Sequence, residues 1–456
     1  MLSTPRRLRR SITLALGAGL PIALATVLTA CAPGSSGGSS GGSSSSAGTT
    51  NVNSKAVTIT VEEASIDVPL FQKFASLFHA KYPKITVKVI GQDFNTLQLN
   101  VPRILAGSNV PDIIRLGALG NTVADKLVIS LNPYAASYGW NSWPQSQFES
   151  TRSNAAGTER GSGALYGVGP GFGLTGLYYN KSLLAKIGEK PPATLSQLSA
   201  DLAKAKSKGI LPMVISGPAQ TLAFAVQNLQ VDYANSVTPV QNWNYDKPGA
   251  SIDIPSFVQA AKTLQTWAKD GYFESDVNSI QESNAVAEFD SGTGLFYVSG
   301  NWDAPAIDKA GPGKFAFIGF PPAKAGGVTD AMSASDLQVI PAKAANPAQA
   351  AAFLNFIQTD PAARQASLDM GGYAPGGPSN AAAVTAPAGS AVAGTVAFFN
   401  QALASNELTE FMVNATNSIS ATALVPETEE LVSGKVTPDQ FASTIQSDYK
   451  SELATR

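Results

Sequence analysis

Residues 167–181 read GVGPGFGLTGLYYNK, and residues 171–176 within them match the pattern G-x-G-x-x-G. In a dinucleotide-binding fold this pattern leaves a strand and opens a helix, so that the helix N-terminus meets the pyrophosphate. Here Pro170 lies beside the pattern, and the aromatic run Leu177-Tyr178-Tyr179 follows it, which favours a strand. The sequence therefore predicts a glycine-rich entry into a strand, without a bound nucleotide cofactor.

Strands and helices alternate on both sides of this segment. Residues 57–61 and 85–89 have the apolar–polar alternation of strands, and the apolar residues of 70–78 fall at helical spacing between them. Residues 210–217 predict another strand, and a capping box with proline at the first helical position predicts a last helix from 437 onward. This alternation predicts an α/β fold.

The N-terminus has the composition of an export signal followed by a tether. Four arginines lie within the first ten residues, an apolar run follows to Leu28, and small residues precede Cys31. This arrangement resembles the bacterial lipobox, in which the cysteine thiol is acylated. Residues 32–55 are dominated by serine and glycine, which predicts a flexible tether. We expect a lipoprotein anchored to the outer face of the cell membrane.

Composition excludes several kinds of site. Without the four arginines of the signal, 27 basic residues face 33 acidic ones, about -6 in net charge, which argues against a nucleic-acid partner. Cys31 is the only cysteine and His79 the only histidine, so disulfides and thiolate or histidine metal clusters are not expected. His79 lies at the end of a predicted helix, where a structural role is favoured over catalysis.

A series of short motifs, in order along the chain, resembles the extracellular solute-binding proteins of ATP-driven sugar importers, family 1, the maltose-binding-protein-like group. The motifs are the lipobox, the F..F...YP.I.V.V pattern at 71–89, Pro111-Asp112-Ile113-Ile114, Tyr166-Gly167, Gly176-Leu177-Tyr178-Tyr179-Asn180-Lys181, Gly300-Asn301-Trp302 and Gly372-Tyr373-Ala374-Pro375. The resemblance implies a two-lobed, class II periplasmic-binding-protein-like fold with discontinuous lobes joined by a three-segment hinge. Glycines at the first crossing would tolerate positive φ and absorb hinge torsion.

On this resemblance the chain divides into four parts. They are a signal peptide (1–30), a tether (31–55), an N-terminal lobe (56–170 with about 335–375) and a C-terminal lobe (171–334 with about 376–456). The resemblance also implies a monomeric, non-enzymatic receptor that captures a carbohydrate and delivers it to the permease of an ABC transporter. Two alternatives stay open: a surface glycosidase that uses two carboxylates, and a ligand sensor or adhesin on the same fold.

A sugar site combines aromatic rings, which stack on pyranose C–H faces, with carboxylates and amides, which bind hydroxyls. The resemblance places such groups at strand ends and crossings. The candidates are Glu62, Glu63, Ser65, Gln92, Asp93, Phe94, Leu116, Gly117, Phe172, Gly173, Trp243, Asn301, Trp302, Asp303, Gly372 and Tyr373, with Tyr245 beside Trp243 as a second possible stack. Residues 116–120 and Gly173 lack the aromatic and charged groups of maltose-binding protein, which argues against a maltodextrin ligand.

Overall fold

The strands of the protein fall into two main sheets and one small hairpin. The structure is a computed structural model, and it describes residues 48–329, 331–405, 407–416 and 418–454. The predicted signal peptide, Cys31 and most of the tether lie outside the described residues. The strands are β1 (Val57–Ala64), β2 (Ile85–Gln92), β3 (Ile113–Arg115), β4 (Arg152–Ser153), β5 (Ala164–Leu165), β6 (Phe172–Asn180), β7 (Met213–Val214), β8 (Phe296–Gly300), β9 (Phe315–Ile318), β10 (Ala331–Ser335), β11 (Gln338–Val339) and β12 (Leu408–Thr409).

Helices connect these strands and cover both faces of the sheets. They are α1 (Val68–Lys81), α2 (Phe94–Ala106), α3 (Asn132–Tyr138), α4 (Lys181–Ile187), α5 (Leu195–Ser207), α6 (Thr221–Ala234), α7 (Thr238–Asn244), α8 (Pro255–Lys269), α9 (Glu282–Asp290), α10 (Ala304–Ala310), α11 (Pro347–Thr359), α12 (Pro361–Gly371), α13 (Ala391–Ser405), α14 (Val425–Val432) and α15 (Pro438–Leu453). Among the described residues, no helix has both the length and the apolar character needed to cross a membrane.

The first sheet has the strand order β11-β3-β1-β2, with β1 parallel to β2 and β3 and with β11 antiparallel to β3. The second sheet has the order β12-β10-β6-β8-β7, with β9 also paired to β6. Its central strand β6 runs antiparallel to β8, β9 and β10. Parallel strands joined by helices, with antiparallel strands added, form the mixed α/β architecture that the sequence predicts.

The central strands of both sheets are buried on both faces, and successive side chains along a strand point in opposite directions. In β6, Leu177 packs into the large core that contains Trp243 and Trp267, whereas Tyr178 packs into the core on the other face. In the first sheet, Ile113 and Ile114 divide in the same way between two cores. The two sheets therefore have separate cores.

The chain passes between the cores of the two sheets at three places. The first passage leads from Val168, in a core of the first sheet, to Leu174, in a core of the second. The second passage leads back from Met332 to Ile340, and the third leads from Tyr373 to Ala374. Backbone hydrogen bonds tie the passages together, since Phe172 N–H donates to Ala374 C=O at 2.8 Å and Asp336 N–H to Gly171 C=O at 3.1 Å. The exact lobe boundaries stay a prediction.

The structure corrects the reason for the glycines at the first passage. Gly171, Gly173 and Gly176 all lie outside the positive-φ region, so a positive φ is not what requires them. A Cβ at Gly171 would lie 2.5 Å from the carbonyl oxygen of Ala374, and one at Gly176 would lie 2.5 Å from that of Ile318. These two glycines are needed because neighbouring backbone approaches closely. The pattern enters and continues β6, which confirms that it is not a dinucleotide loop.

Local signals in the sequence are confirmed at several helix ends. Thr437 and Gln440 form the capping box that begins α15, and Thr194 caps α5 by accepting from the backbone N–H of Gln197. Gly188 ends α4 in the left-handed conformation. His79 lies near the end of α1, where its Nδ1 is 2.8 Å from the carbonyl oxygen of Ile85, so its role is structural.

Candidate functional site

A cleft lies between the two sheets, where strands of both sheets end. It encloses about 990 Å³, counting space open to solvent. The first sheet contributes residues after β1, after β2 and at the end of β3, and the second contributes the start of β6, the end of β10 and the turn after β8. Ligand sites of α/β proteins favour such carboxyl ends of strands. The lining includes Asp67, Asp93, Phe94, Arg115, Gly117, Gly173, Phe224, Glu282, Trp302, Asp336, Tyr373 and Phe411.

Trp302 presents its indole to this cleft from the turn after β8. Its Nε1–H donates to a carboxylate oxygen of Glu282 at 2.9 Å, and Phe224 meets its ring edge-on with centroids 6.1 Å apart. Phe224 in turn packs against Phe411, with centroids 5.5 Å apart. A Cβ added at Gly173 would lie 3.7 Å from the indole, at ordinary contact distance. Gly173 therefore lies next to a fixed aromatic ring, with room between them for a methyl group.

Arg115 lies at the opposite side of the lining, at the end of β3. Its guanidinium is paired with the carboxylate of Asp336 and lies 3.9 Å from that of Glu63. The same group lies over the ring of Phe94, 5.4 Å from its centroid. A guanidinium in this position has its charge balanced and its orientation fixed on several sides. The first sheet thus brings a rigid set of donors and acceptors to the cleft.

Burial perturbs the acids around this set. It raises the pKa of Glu63 to about 8, against the opposing effect of Arg115. Burial likewise raises the pKa of Asp67, whose carboxylate accepts a hydrogen bond from the Tyr373 hydroxyl at 2.8 Å. It also raises the pKa of Glu282, while the bond from Trp302 opposes the shift. A polar ligand that donates hydrogen bonds to Asp67 or Glu282, which line the cleft, would favour their charged forms.

Three of the carboxylates lie close enough to one another to suggest a metal site. Oxygen atoms of Glu63, Asp67 and Asp336 all lie within 4.8 Å of each other, and all three residues are buried. The guanidinium of Arg115 is paired with two of them and supplies positive charge among them. We therefore assign this cluster to an internal ion-pair network and place no metal there.

Of the residues predicted for the site, the structure brings six to the cleft. Trp302 and Tyr373 line it as aromatic groups, although Tyr373 is largely buried with its hydroxyl on Asp67. The others are Asp93, Phe94, Gly117 and Gly173. Asp93 is exposed and caps α2, since its carboxylate accepts from the backbone N–H of Thr96 at 3.0 Å.

Three candidates near Trp302 have structural roles instead. The side chain of Asn301 bonds the backbone of Phe172, Leu174 and Gly372, and thereby fastens the first passage to the third. Asp303 is buried and accepts from the hydroxyls of Tyr297 and Ser299. Gly372 ends α12 at φ 66°, where a Cβ would collide with the carbonyl oxygen of Asn301. The prediction of ligand contact for these three is corrected.

The other candidates on the first sheet are turned away from the cleft. Glu63 lies behind Arg115 and is fully buried, with its carboxylate accepting from the Gln338 amide at 2.6 Å. The amide of Gln92 donates to the carboxylate of Glu62. Three others lie elsewhere among the described residues: Ser65 is exposed outside the lining, Leu116 packs in a core of the first sheet, and Phe172 stacks on Phe399.

Trp243 and Tyr245 do not form a second stacking platform. Trp243 belongs to helix α7 rather than to a loop, has no exposed surface, and donates its indole N–H to Gln446 at 3.1 Å. Its ring packs against Tyr449 with centroids 4.2 Å apart. Tyr245 lies under the guanidinium of Arg160, 5.7 Å from its ring centroid. Both residues therefore pack against other side chains on the side of the second sheet.

Several lining residues were not among the sequence candidates. Asp67 lies two residues after the candidate Ser65, and Arg115 lies one residue before the candidate Leu116. Their position at the end of a strand therefore indicates them approximately. Glu282 begins helix α9 and Phe224 lies in the nearly all-buried helix α6, and neither position has a local signal. Phe411 follows β12 and reaches the cleft only through the topology of the second sheet.

Comparisons with known proteins agree with this architecture. A family model described as bacterial extracellular solute-binding protein matches residues 73–394. A binding protein of Brucella abortus is 26% identical over 293 residues, which cover 60% of this chain and 67% of that protein. The multiple sugar-binding protein of Streptococcus mutans is 24% identical over 319 residues, which cover 67% of this chain and 72% of its own. The solved structure of a chitin oligosaccharide binding protein matches with a TM-score of 0.71 at 20% identity, covering 88% of this chain and 99% of the other.

Proposed function

Because the chain belongs to the family of bacterial extracellular solute-binding proteins, we propose that it captures a carbohydrate in the cleft and delivers it to the permease of an ABC importer. The observation that carries the proposal is the partly exposed indole of Trp302, which lines the cleft and is held by Glu282. Such a ring can stack on the C–H face of a pyranose.

The polar groups around Trp302 support the same proposal. Asp67, Asp93, Glu282 and Arg115 supply several acceptors and one fixed donor within a single cleft. Carbohydrate hydroxyls donate and accept at once, so a mixed set of this kind suits them. Relatives named for sugar or oligosaccharide binding lie among the similar proteins, which agrees with a carbohydrate ligand.

Affinity of the expected order is within reach of this site. A micromolar dissociation constant corresponds to about 8 kcal/mol. A ring stack contributes about 1 kcal/mol beyond its buried area, and hydrogen bonds to charged groups about 1.5–3 kcal/mol each. Ligand that binds both sides of the cleft would stabilise a closed form, which is the form that we propose the permease recognises.

A thermal-shift screen of the protein without its first 47 residues, against mono- and oligosaccharides, tests the proposal. Ligand at a hundred times its dissociation constant stabilises the folded state by about 2.7 kcal/mol, so the melting temperature must rise. Hits are confirmed by calorimetry, with product analysis to detect hydrolysis. No shift with any sugar would refute carbohydrate capture, and catalytic turnover would favour a glycosidase.

We further propose that Cys31 carries the lipid that anchors the receptor to the outer face of the membrane. The basic N-terminus, the apolar run and the cysteine support this anchoring, because a serine- and glycine-rich tether follows them. The variant Cys31→Ser should be recovered from the medium or the aqueous phase of a detergent partition, whereas the parent chain enters the detergent phase. Partition of both forms into the aqueous phase would refute anchoring at this residue.

A further inference from the structure

The hairpin formed by β4 and β5 belongs to the part of the molecule around the first sheet, called the first side below. Leu165 in β5 packs in a core of that sheet, and its backbone C=O accepts the N–H of Leu131 at 2.7 Å. At the tip of the hairpin, a Cβ added to Gly157 would lie 2.7 Å from the backbone nitrogen of Ala124, which follows the core residue Val123. The root and the tip of the hairpin are thus both packed on the first side.

Arg160 leaves this hairpin and enters the part of the molecule around the second sheet, called the second side. The residue is buried, and its Nη1 donates to three backbone carbonyl oxygens, at 2.9 Å to Asn414 and at 3.3 Å to Asn244 and Ala415. Its Nη2 lies 4.0 Å from a carboxylate oxygen of Glu410, which is also buried. The guanidinium is therefore held by helix α7 and by the segment that follows β12.

The segment that holds Arg160 is firmly part of the second side. Phe411 and Ala415 pack in the large core of the second sheet. The carboxylate of Glu410 accepts from the backbone N–H of Phe411 at 3.1 Å and from the side-chain amide of Asn414 at 3.0 Å. Arg160 and Glu410 therefore form a buried contact between the two sides, in addition to the three passages of the chain.

The same segment forms part of the cleft wall. Phe411, Val413 and Asn414 line the cleft, so Arg160 holds this wall from behind. Across the cleft, a Cβ added to Gly117 on the first side would lie 3.6 Å from the side-chain oxygen of Asn414. The two walls are thus close together where Arg160 fixes one of them. Separation of the two sides would pull the guanidinium away from its carbonyl oxygens.

We propose that Arg160 is a positioning residue that latches the two sides of the cleft together, and that the cleft opens only when its guanidinium leaves the second side. The three passages can bend and stay covalently connected, whereas this contact is lost when the sides separate. Hydrogen bonds from a charged group are strong, so losing them should shift the equilibrium toward open forms at least tenfold. The inference concerns the opening of the cleft and does not depend on which solute binds there.

Distances between two spin labels test the latch without any ligand. In the full chain, Cys31→Ser removes the only cysteine, and Lys73→Cys on α1 with Lys262→Cys on α8 then places one label at an exposed position of each side. Pulsed electron paramagnetic resonance gives the ratio of molecules at the parent distance to molecules at longer distances. We expect Arg160→Met combined with Glu410→Gln to lower this ratio at least tenfold. The double variant removes both charges, so neither is left buried without its partner.

Two further variants make the result specific. Lys204→Met with Glu189→Gln removes an exposed ion pair within the second side and, as the matched control, should keep the parent ratio. Arg160→Lys keeps a positive charge beside Glu410 but lacks the planar fork that reaches several acceptors, so it should lower the ratio less than the double variant does. Near-UV circular dichroism shows whether each variant is folded. A ratio within about threefold of the parent in both Arg160 variants, or an equal fall in the control, would overturn the latch.

Discussion

Gly171 and Gly173 are two residues apart, and we predict that alanine at each changes stability in opposite directions. At Gly171 the new Cβ would lie 2.5 Å from the carbonyl oxygen of Ala374, which already accepts the backbone N–H of Phe172. That carbonyl cannot move without breaking the bond, so Gly171→Ala should lower the free energy of unfolding by about 1–3 kcal/mol, as overpacking does. At Gly173 the nearest atom to the new Cβ is 3.7 Å away.

Gly173→Ala should therefore raise the free energy of unfolding by about 0.4–1 kcal/mol, because φ is not positive there and alanine reduces the entropy of the unfolded chain. A larger side chain at position 173 should, in contrast, weaken ligand binding. A side chain at position 173 would face the ring of Trp302, so Gly173→Val should place its methyl groups against that ring and weaken ligand binding at least tenfold, about 1.4 kcal/mol. Urea unfolding without ligand and calorimetry with it measure the two effects separately. A destabilised Gly173→Ala protein, or parent affinity in Gly173→Val, would refute the geometry.

Four further substitutions, one of them a comparison for Trp302→Ala, test the site and its surroundings. Trp302→Ala should weaken ligand binding at least tenfold, because it removes the stacking ring and leaves Glu282 unpaired. Glu282→Gln keeps an acceptor for the indole N–H and should weaken binding less. If calorimetry shows less than a threefold change for Trp302→Ala, the ring does not belong to the site. Burial raises the pKa of Asp303 from 3.8 to about 7, so its ionisation opposes folding. The free energy of unfolding should therefore fall by on the order of 4 kcal/mol as the pH rises between these values. Asp303→Asn should flatten this pH dependence in urea titrations, and the same pH dependence in the variant and the parent would contradict the prediction. Trp243→Phe should lower the free energy of unfolding by about 1 kcal/mol through loss of the bond to Gln446, with unchanged ligand affinity; weakened binding would restore Trp243 as a ligand contact.

The order of elements was within reach of the sequence because its signals are local. The period of the apolar residues predicts β1, α1 and β2, and the caps at Thr194 and Thr437 mark where α5 and α15 begin. The passages between the sheets were located at glycine-rich segments, but for the wrong reason. Close approach of two backbones depends on residues far apart in the chain, such as Gly171 and Ala374, and no local pattern encodes it.

The site was only partly predictable, because residue type does not determine direction. Asn301, Trp302 and Asp303 follow one strand and are all types that bind sugars, yet they point to three different surroundings. The amide of Asn301 bonds backbone across the passages, the indole of Trp302 faces the cleft, and the carboxylate of Asp303 is buried on two hydroxyls.

The same scaffold that turns Asn301 and Asp303 inward also makes Trp302 a suitable platform. The turn between Gly300 and helix α10 is held from both sides, by the amide of Asn301 on the passages and by the carboxylate of Asp303 on Tyr297 and Ser299. A ring between two fixed neighbours loses little conformational freedom when a ligand binds, so less of the stacking energy is spent on ordering it. We therefore expect the two residues that do not line the cleft to contribute to ligand affinity by fixing the one that does.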